Sequence, residues 1–346
     1  MAKVAKIPVI DISADSDQDQ RQVAKELVEA AVEHGFIYIK NTGKDFPVEA
    51  VEGAFELSKK LFNAPLEEKQ ACTYQPNNRG WSAMHYETLD PKNQRVGDFK
   101  EAFNFGEFIN GKAQQPLPAS IASHESQISA FRDLCYNMCL KINTLLGIGL
   151  GVNPPDFFTQ AHLTTRGTSG TILRLLYYPP LPQTTASPTD IRAGAHSDYG
   201  SITLLFRLKG QAGLEILTPD NTWAPVPVCP PGTENDPAPP ILVNIGDLLS
   251  YWTNGLLRST VHRVVFPGPE KGVVVEGETD TEPRYSMAFF CHPVGTTPLD
   301  VVPSERVQKF RPEGQRDGEP RKVMTADEHL QMRLRASYKQ MYSDKE

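Results

Sequence analysis

The chain has 346 residues, 39% of them hydrophobic and 22% charged, with a formal net charge of −7. That balance fits a soluble globular protein of one large domain or two smaller ones, and it lacks the global basic signature of a nucleic-acid binder. No apolar run approaches the ~20 residues of a membrane span, and no long apolar stretch precedes Asp11 as a secretory leader would require. Neither a nucleic-acid nor a membrane partner is therefore expected; the oligomeric state stays open. Five scattered cysteines (Cys72, Cys135, Cys139, Cys229, Cys291) fit a reducing setting, cytoplasmic first, with peroxisome and nucleus left open. Cys135 and Cys139 read as helix packing.

In chain order, IPVIDIS (Ile7 to Ser13) alternates as a strand, and Gln20 to Glu33 has helical spacing that stops at Gly35. FIYIKN (Phe36 to Asn41) reads as strand, and Val48 to Phe62 as a second amphipathic helix ending before Pro65. Ser120 to about Leu150 carries the longest helical stripe. From Thr171 onward TILRLLYYPP, SITLLF, LEILT, WAPVPV, ILVNIGDLLSYW, STVHRVVF and RYSMAFFCHP form short strand-like runs between turns. Pro179 to Asp190 and Cys229 to Pro240 read as exposed loops. T-A-D-E at Thr325 to Glu328 matches a capping box before a last helix. These features predict a mainly β core with flanking helices, arranged as a sandwich or jelly roll.

The stretch AHSDYGSITLL places His196 and Asp198 two apart, on one side of a strand if the strand continues. Buried together, they need a partner such as a cation. His262, inside the strand-like STVHRVVF, is the natural third ligand. Two histidines and a carboxylate form the facial triad of non-haem Fe(II) oxygenases, which leaves coordination positions open for O2 and an organic co-substrate. A closed four-ligand zinc site leaves none. In RYSMAFF, Arg284 and Ser286 share a strand face; a buried guanidinium beside a hydroxyl suits the carboxylate of a dicarboxylate ligand, while an internal Asp or Glu is the other partner open to the arginine and leaves the serine unexplained.

H-S-D at 196–198, V-H-R-V at 261–264 and R-Y-S at 284–286 resemble the iron- and 2-oxoglutarate-dependent dioxygenases of the isopenicillin N synthase-like branch. The resemblance covers most of the chain. It includes HGFIYIKN, NNRGWSA, DFKEAFNFG and LVNIGDLLSYWTNGLLRSTVHRV. ILRLLYYP and RAGAHSDYGSITLLF are also similar to fungal members such as thymine 7-hydroxylase, without fixing thymine as the substrate.

The resemblance implies a double-stranded β-helix (jelly roll) with a helical N-terminal region and a C-terminal helix. Residues 1–115 would form the N-terminal dioxygenase region, 116–164 a long helical connector, 165–300 the jelly-roll core and 301–346 a helical tail. Fe(II) would be held by His196, Asp198 and His262, and 2-oxoglutarate by Arg284, Ser286 and Tyr178. O2 would be consumed as a small-molecule metabolite is hydroxylated, desaturated or rearranged, with release of succinate and CO2. Leu176 departs from the asparagine common in plant relatives and removes one polar contact to the co-substrate.

Strand parity with Tyr178 turns Leu176 and Arg174 inward. Arg174 reads either as a substrate anchor or as half of an internal ion pair, and Phe290 either as a substrate contact or as core. Arg79, Phe103 and Phe105 fall in segments that cover the iron face in relatives and are candidate substrate contacts. Trp223 and Trp252 read as packing residues, and Asn244 and Asp247 as hydrogen-bonding residues. Two rival readings remain at this point: an iron oxidase that works without 2-oxoglutarate, and a metal-containing metabolite-binding protein without turnover.

Overall fold

The computed structural model describes residues 4–13, 16–180, 191–266, 282–311 and 322–337. The chain opens with β1 (Val9–Ile10), α1 (Asp17–Glu33) and β2 (Phe36–Ile39), the turn between helix and strand made by Gly35 at φ +68°. Next come α2 (Val48–Phe62), α3 (Leu66–Gln70), β3 (Gly80–Ser82), β4 (Glu101–Phe105), β5 (Phe108–Ile109) and β6 (Lys112–Ala113). Helices α4 (Ala119–Ala122), α5 (Glu125–Gly149) and α6 (Phe157–His162) lead into the strand-rich half. That half contains β7 (Ile172–Tyr178), β8 (Ala193–His196), β9 (Ile202–Arg207), β10 (Leu214–Leu217), β11 (Trp223–Pro225) and β12 (Ile241–Ile245). It ends with α7 (Asp247–Trp252), β13 (His262–Val264), β14 (Arg284–Cys291), α8 (Glu305–Lys309) and α9 (Ala326–Ser337).

Eight strands join in one sheet, in the order β1-β2-β12-β9-β14-β7-β4-β3, and four in a second, β11-β10-β13-β8. The large sheet is buried on both faces, and side-chain parity decides what each face touches. Ile37, Phe103, Leu175, Leu204, Val243 and Met287 pack outward against α1, α2 and α5. Their neighbours Tyr38, Ala102, Leu176, Leu242 and Ala288 turn inward, meeting Ala193, Leu214, Ile216 and Val264 of the small sheet. The functional side chains project into this space between the sheets. Strands β1 to β4 of the N-terminal part share the large sheet with the later strands, so the core is built across the whole chain.

Several expected elements change in detail. ILVNIGDLLSYW is only half strand: β12 ends at Ile245, and α7 begins after Gly246, burying Leu248, Leu249 and Trp252 on one face. The long helical stripe is broken at Ser123–His124 into α4 and α5. DFKEAFNFG contributes a strand, β4, through Glu101–Phe105. The capping box forms: Thr325 N–H donates to Glu328 Oε2 (2.7 Å) and Glu328 N–H to Thr325 Oγ1 (3.2 Å). Of the two expected loops, residues 181–190 of the first lie outside the described residues, and the second is a run of turns. Among the described residues no helix is long and apolar enough to cross a membrane.

Candidate active site

Strand β8 stops at His196, so Asp198 reaches the site from the following turn and not from a continued strand. The antiparallel pairing of β13 with β8 sets His262 directly across from His196. Asp198 Oδ1 then lies 3.8 Å from His196 Nε2 and 3.6 Å from His262 Nε2. One ligand atom from each residue fits within 4.8 Å of the others, the only such group among the described residues. Each imidazole is oriented from behind. His196 Nδ1 is 2.7 Å from the Gly194 carbonyl, and His262 Nδ1 is 3.1 Å from that of Thr260. A carbonyl only accepts, so both Nδ1 atoms carry the proton and both Nε2 lone pairs face the shared point.

Asp198 is fixed through its other oxygen, which accepts from Thr203 Oγ1 and Asn244 Nδ2, each at 2.7 Å. Burial alone would raise the carboxyl pKa, but the two imidazoles and these hydrogen bonds hold it below the usual value. Burial, reinforced by His262, pushes His196 down to about 4. A neutral imidazole and an ionised carboxylate are the protonation states that ligate a divalent cation. The residues therefore fit a metal with open coordination positions.

Two cavities meet at these residues, sharing His196, Asp198, Arg174, Phe290 and Leu89. The inner one, about 600 Å³, runs between the sheets past His262, Lys100, Leu176 and Tyr178 to Arg284 and Ser286. Arg284 is 3% exposed; its Nε–H donates to the Ala212 carbonyl (2.9 Å), and its guanidinium carbon lies 4.8 Å from the centre of the Tyr178 ring. Its Nη1 is 3.5 Å from Ser286 Oγ. A carboxylate docking there would meet a charged fork beside a hydroxyl. The outer cavity, about 510 Å³, is lined by Asn78, Ile172, Tyr199, His292 and by Leu330 and Leu334 of α9.

The structure sorts the remaining candidates. Phe290 lines both cavities. Arg174 does too, yet it is also half of a buried ion pair with Glu87 and donates to Asn104 Oδ1 at 2.6 Å. Phe103 and Phe105 are corrected: both are fully buried in the core between sheet and helices and line neither cavity. The reason is parity, because the register Asn104↔Arg174 and Ala102↔Leu176 turns the even residues of β4 inward. Arg79 also lies outside both cavities, on a neighbouring polar one, with its guanidinium 4.0 Å from Glu107. Asn244 and Asp247 act through hydrogen bonds as expected; Asp247 accepts from Ser197, Ser259 and Arg333.

Sequence reading missed Lys100, Glu87, Asn104 and His292. The first and third had a signal, the K-x-A-x-N alternation in KEAFN, which is visible once that stretch is read as a strand. Glu87 and His292 carried none.

Comparison with known proteins agrees with this geometry. The N-terminal model of non-haem dioxygenases in morphine synthesis matches residues 7–123, and the 2OG-Fe(II) oxygenase superfamily model matches residues 169–293. The UPF0676 protein C1494.01 of Schizosaccharomyces pombe is 36% identical over 88% of this chain and 87% of its own length. The 2-oxoglutarate-dependent dioxygenase htyE of Aspergillus rugulosus is 30% identical over 84% of this chain and 89% of its own. Among solved structures, a full-length Neurospora crassa protein in complex with alpha-KG and thymine superposes with a TM-score of 0.77. It is 28% identical, covering 97% of this chain and 99% of that one.

Proposed function

The chain belongs to the 2OG-Fe(II) oxygenase superfamily and is a non-haem Fe(II)- and 2-oxoglutarate-dependent dioxygenase; from that premise we propose that it oxidises a small-molecule metabolite held in the outer cavity. The observation that carries this reading is the meeting of two cavities at one three-residue donor set, with a carboxylate anchor at the far end of the inner one.

In this reading His196, Asp198 and His262 hold the iron, while Arg284, Ser286 and Tyr178 hold the distal carboxylate of 2-oxoglutarate. When bound, iron and co-substrate supply the oxidising chemistry, consuming O2 and releasing succinate and CO2. The residues of the chain bind, orient and exclude water. Thr203 and Asn244 fix Asp198, and the Gly194 and Thr260 carbonyls fix the imidazole tautomers. Leu89, Ile172, Phe290, Leu330 and Leu334 give the outer cavity an apolar wall. Arg174, held by Glu87 and Asn104, offers a cationic edge there, so the substrate has an apolar body and at least one hydrogen-bond acceptor. The two sheets correspond to a double-stranded β-helix whose strands come from 165–300. Residues 1–115 add strands and cavity walls, the 116–164 segment braces the large sheet, and α9 of the 301–346 tail closes the outer cavity.

The test is an anaerobic titration of the metal-free protein with Fe(II) and then 2-oxoglutarate. The visible charge-transfer band of a chelated 2-oxo acid is expected, and Arg284→Ala should abolish it at the same ligand concentration. Iron binding with no band at millimolar 2-oxoglutarate would overturn the assignment of the inner cavity.

A further inference from the structure

The inner cavity holds a cation that the reading above leaves without a task. Lys100 lies on its wall and is 4% exposed. It immediately precedes β4, beside the Glu101–Tyr177 pair, which puts it next to Tyr178 on the inward face. Its ammonium does not extend toward Arg284. It is drawn instead to Asp98 Oδ2 (2.5 Å) and Glu87 Oε2 (3.1 Å), and that same Glu87 oxygen accepts from Arg174 Nη1 at 3.2 Å. Asp98 in turn accepts from the Gly194 N–H (3.0 Å), two residues before His196. The ammonium is thus pinned at the corner between β4 and β8, on the metal side of the cavity and on the Leu176–Arg174 side of Tyr178.

An ammonium has three donors. Asp98 accepts one in a hydrogen bond, Glu87 lies within ion-pair reach at 3.1 Å, and among the described residues no other protein group accepts from the ammonium. Leu176, the neighbour that lines the same cavity, has no polar atom in its side chain. With Lys100 and Arg174 against Glu87 and Asp98, this buried cluster is neutral, so a net positive field does not explain why a lysine sits on the wall of an anion-binding cavity.

Resting on the proposed function, we propose that Lys100 is a binding residue for the co-substrate and donates its third N–H to the 2-oxo acid end, the end that chelates the metal. It supplies there the polar contact that Leu176 does not. Arg284 and Ser286 would then read one end of 2-oxoglutarate and Lys100 the other. The two ends are separable with a 2-oxo acid that lacks the distal carboxylate.

The experiment uses the full chain loaded anaerobically with Fe(II) and titrated with 2-oxoglutarate and, separately, with pyruvate. Binding is followed by visible absorbance and calorimetry, and folding by near-ultraviolet circular dichroism. The Lys100→Met/Glu87→Gln pair keeps the cluster neutral, and Glu87→Gln alone is its control. Loss of one charge-assisted hydrogen bond should weaken both acids about 10- to 100-fold in the double variant and shift the absorbance band. Glu87→Gln alone should retain most of the wild-type affinity for both acids, whereas Arg284→Ala should weaken 2-oxoglutarate and leave pyruvate largely unaffected. If the methionine pair misfolds, Lys100→Gln/Glu87→Gln, which keeps a donor for Asp98, replaces it with the same expectations. A folded double variant that binds both acids like the wild type overturns the proposal. So does a loss confined to 2-oxoglutarate, or one that Glu87→Gln alone reproduces. Failure of the wild type to bind 2-oxoglutarate would instead overturn the underlying function.

Discussion

Arg174 and Glu87 face each other as a two-pronged ion pair, Nη2 to Oε1 at 2.5 Å and Nη1 to Oε2 at 3.2 Å, in the wall where the two cavities join. The pair lies at 10% and 2% side-chain exposure, and Lys100 leans on the same carboxylate. One guanidinium is therefore half of a buried ion pair and part of both cavity walls.

Removing it should cost stability first. Arg174→Ala leaves Glu87 buried with Lys100 as its remaining cation, and breaking a buried pair costs about 3 kcal/mol or more. A clear fall in the urea midpoint is expected. An unchanged midpoint together with lost substrate turnover would show that Arg174 serves the substrate alone.

The donor set makes a sharper prediction. Asp198→Ala and His196→Ala should each abolish Fe(II) retention and all turnover, measured as bound iron per chain after gel filtration. Asp198→Ala also strands Thr203 Oγ1 and Asn244 Nδ2, each without its acceptor, so a modest drop in melting temperature should accompany the loss. A mutant of either residue that keeps iron-dependent activity would refute the assignment.

At the other end of the inner cavity, Arg284→Ala should weaken 2-oxoglutarate about 100-fold or more, the scale of a bidentate charged contact. Iron binding should be intact, because Arg284 bonds to Ala212, lies beside Ser286 and stacks on Tyr178 at the far end of the cavity. Ser286→Ala, which removes one hydroxyl, should cost about 10-fold. Equal affinities in wild type and Arg284→Ala would place the carboxylate elsewhere.

Acid should destabilise the fold through buried histidines outside the donor set. Burial pushes His162 and His329 down to about 4, and burial with its two histidine neighbours pushes His292 to about 3, against an ordinary value near 6.5. Between these values the unfolded chain binds protons that the folded chain does not, so stability rises with pH there. The contribution is complete above pH ~6.5 and is lost as pH falls toward 4. Melting temperature should decline across that window. His162→Gln should flatten part of the slope, and an identical profile in that variant would exclude its contribution.

The sequence made the donor set legible because its three residue types sit in strand-like contexts with a matching anchor, but the local geometry came out differently. His196 and Asp198 were expected to share a strand face; β8 ends at His196, and Asp198 is aimed by Thr203 and Asn244 from elements that join only in the fold. Phe103 and Phe105 looked like cavity residues because their segment covers the site, and one step of parity turned them into core. Glu87 was invisible: it lies outside the helices and strands, and its partner is 87 residues away. A one-sided apolar pattern shows which residues are buried, whereas the pairing of buried charges depends on which strands become neighbours. The helix over Asp247–Trp252 was hidden for a different reason: six residues make fewer than two turns, too short a run to show a helical period, and they follow directly on the apolar strand β12.

The two cavities also differ in what holds their walls. Residues of the inner cavity sit largely on hydrogen-bonded strands, where replacing one side chain disturbs its cross-strand neighbours. Much of the outer wall, Asn78, Leu89 and Tyr199 with Leu330 and Leu334, stands on turns and on a C-terminal helix that Arg333 fastens to Asp247. Mutation at those positions leaves the strand ladders untouched. With the substrate in the outer cavity, as proposed, a lineage built on this plan can exchange one metabolite for another by a few wall substitutions while the donor set and its anchor stay unchanged.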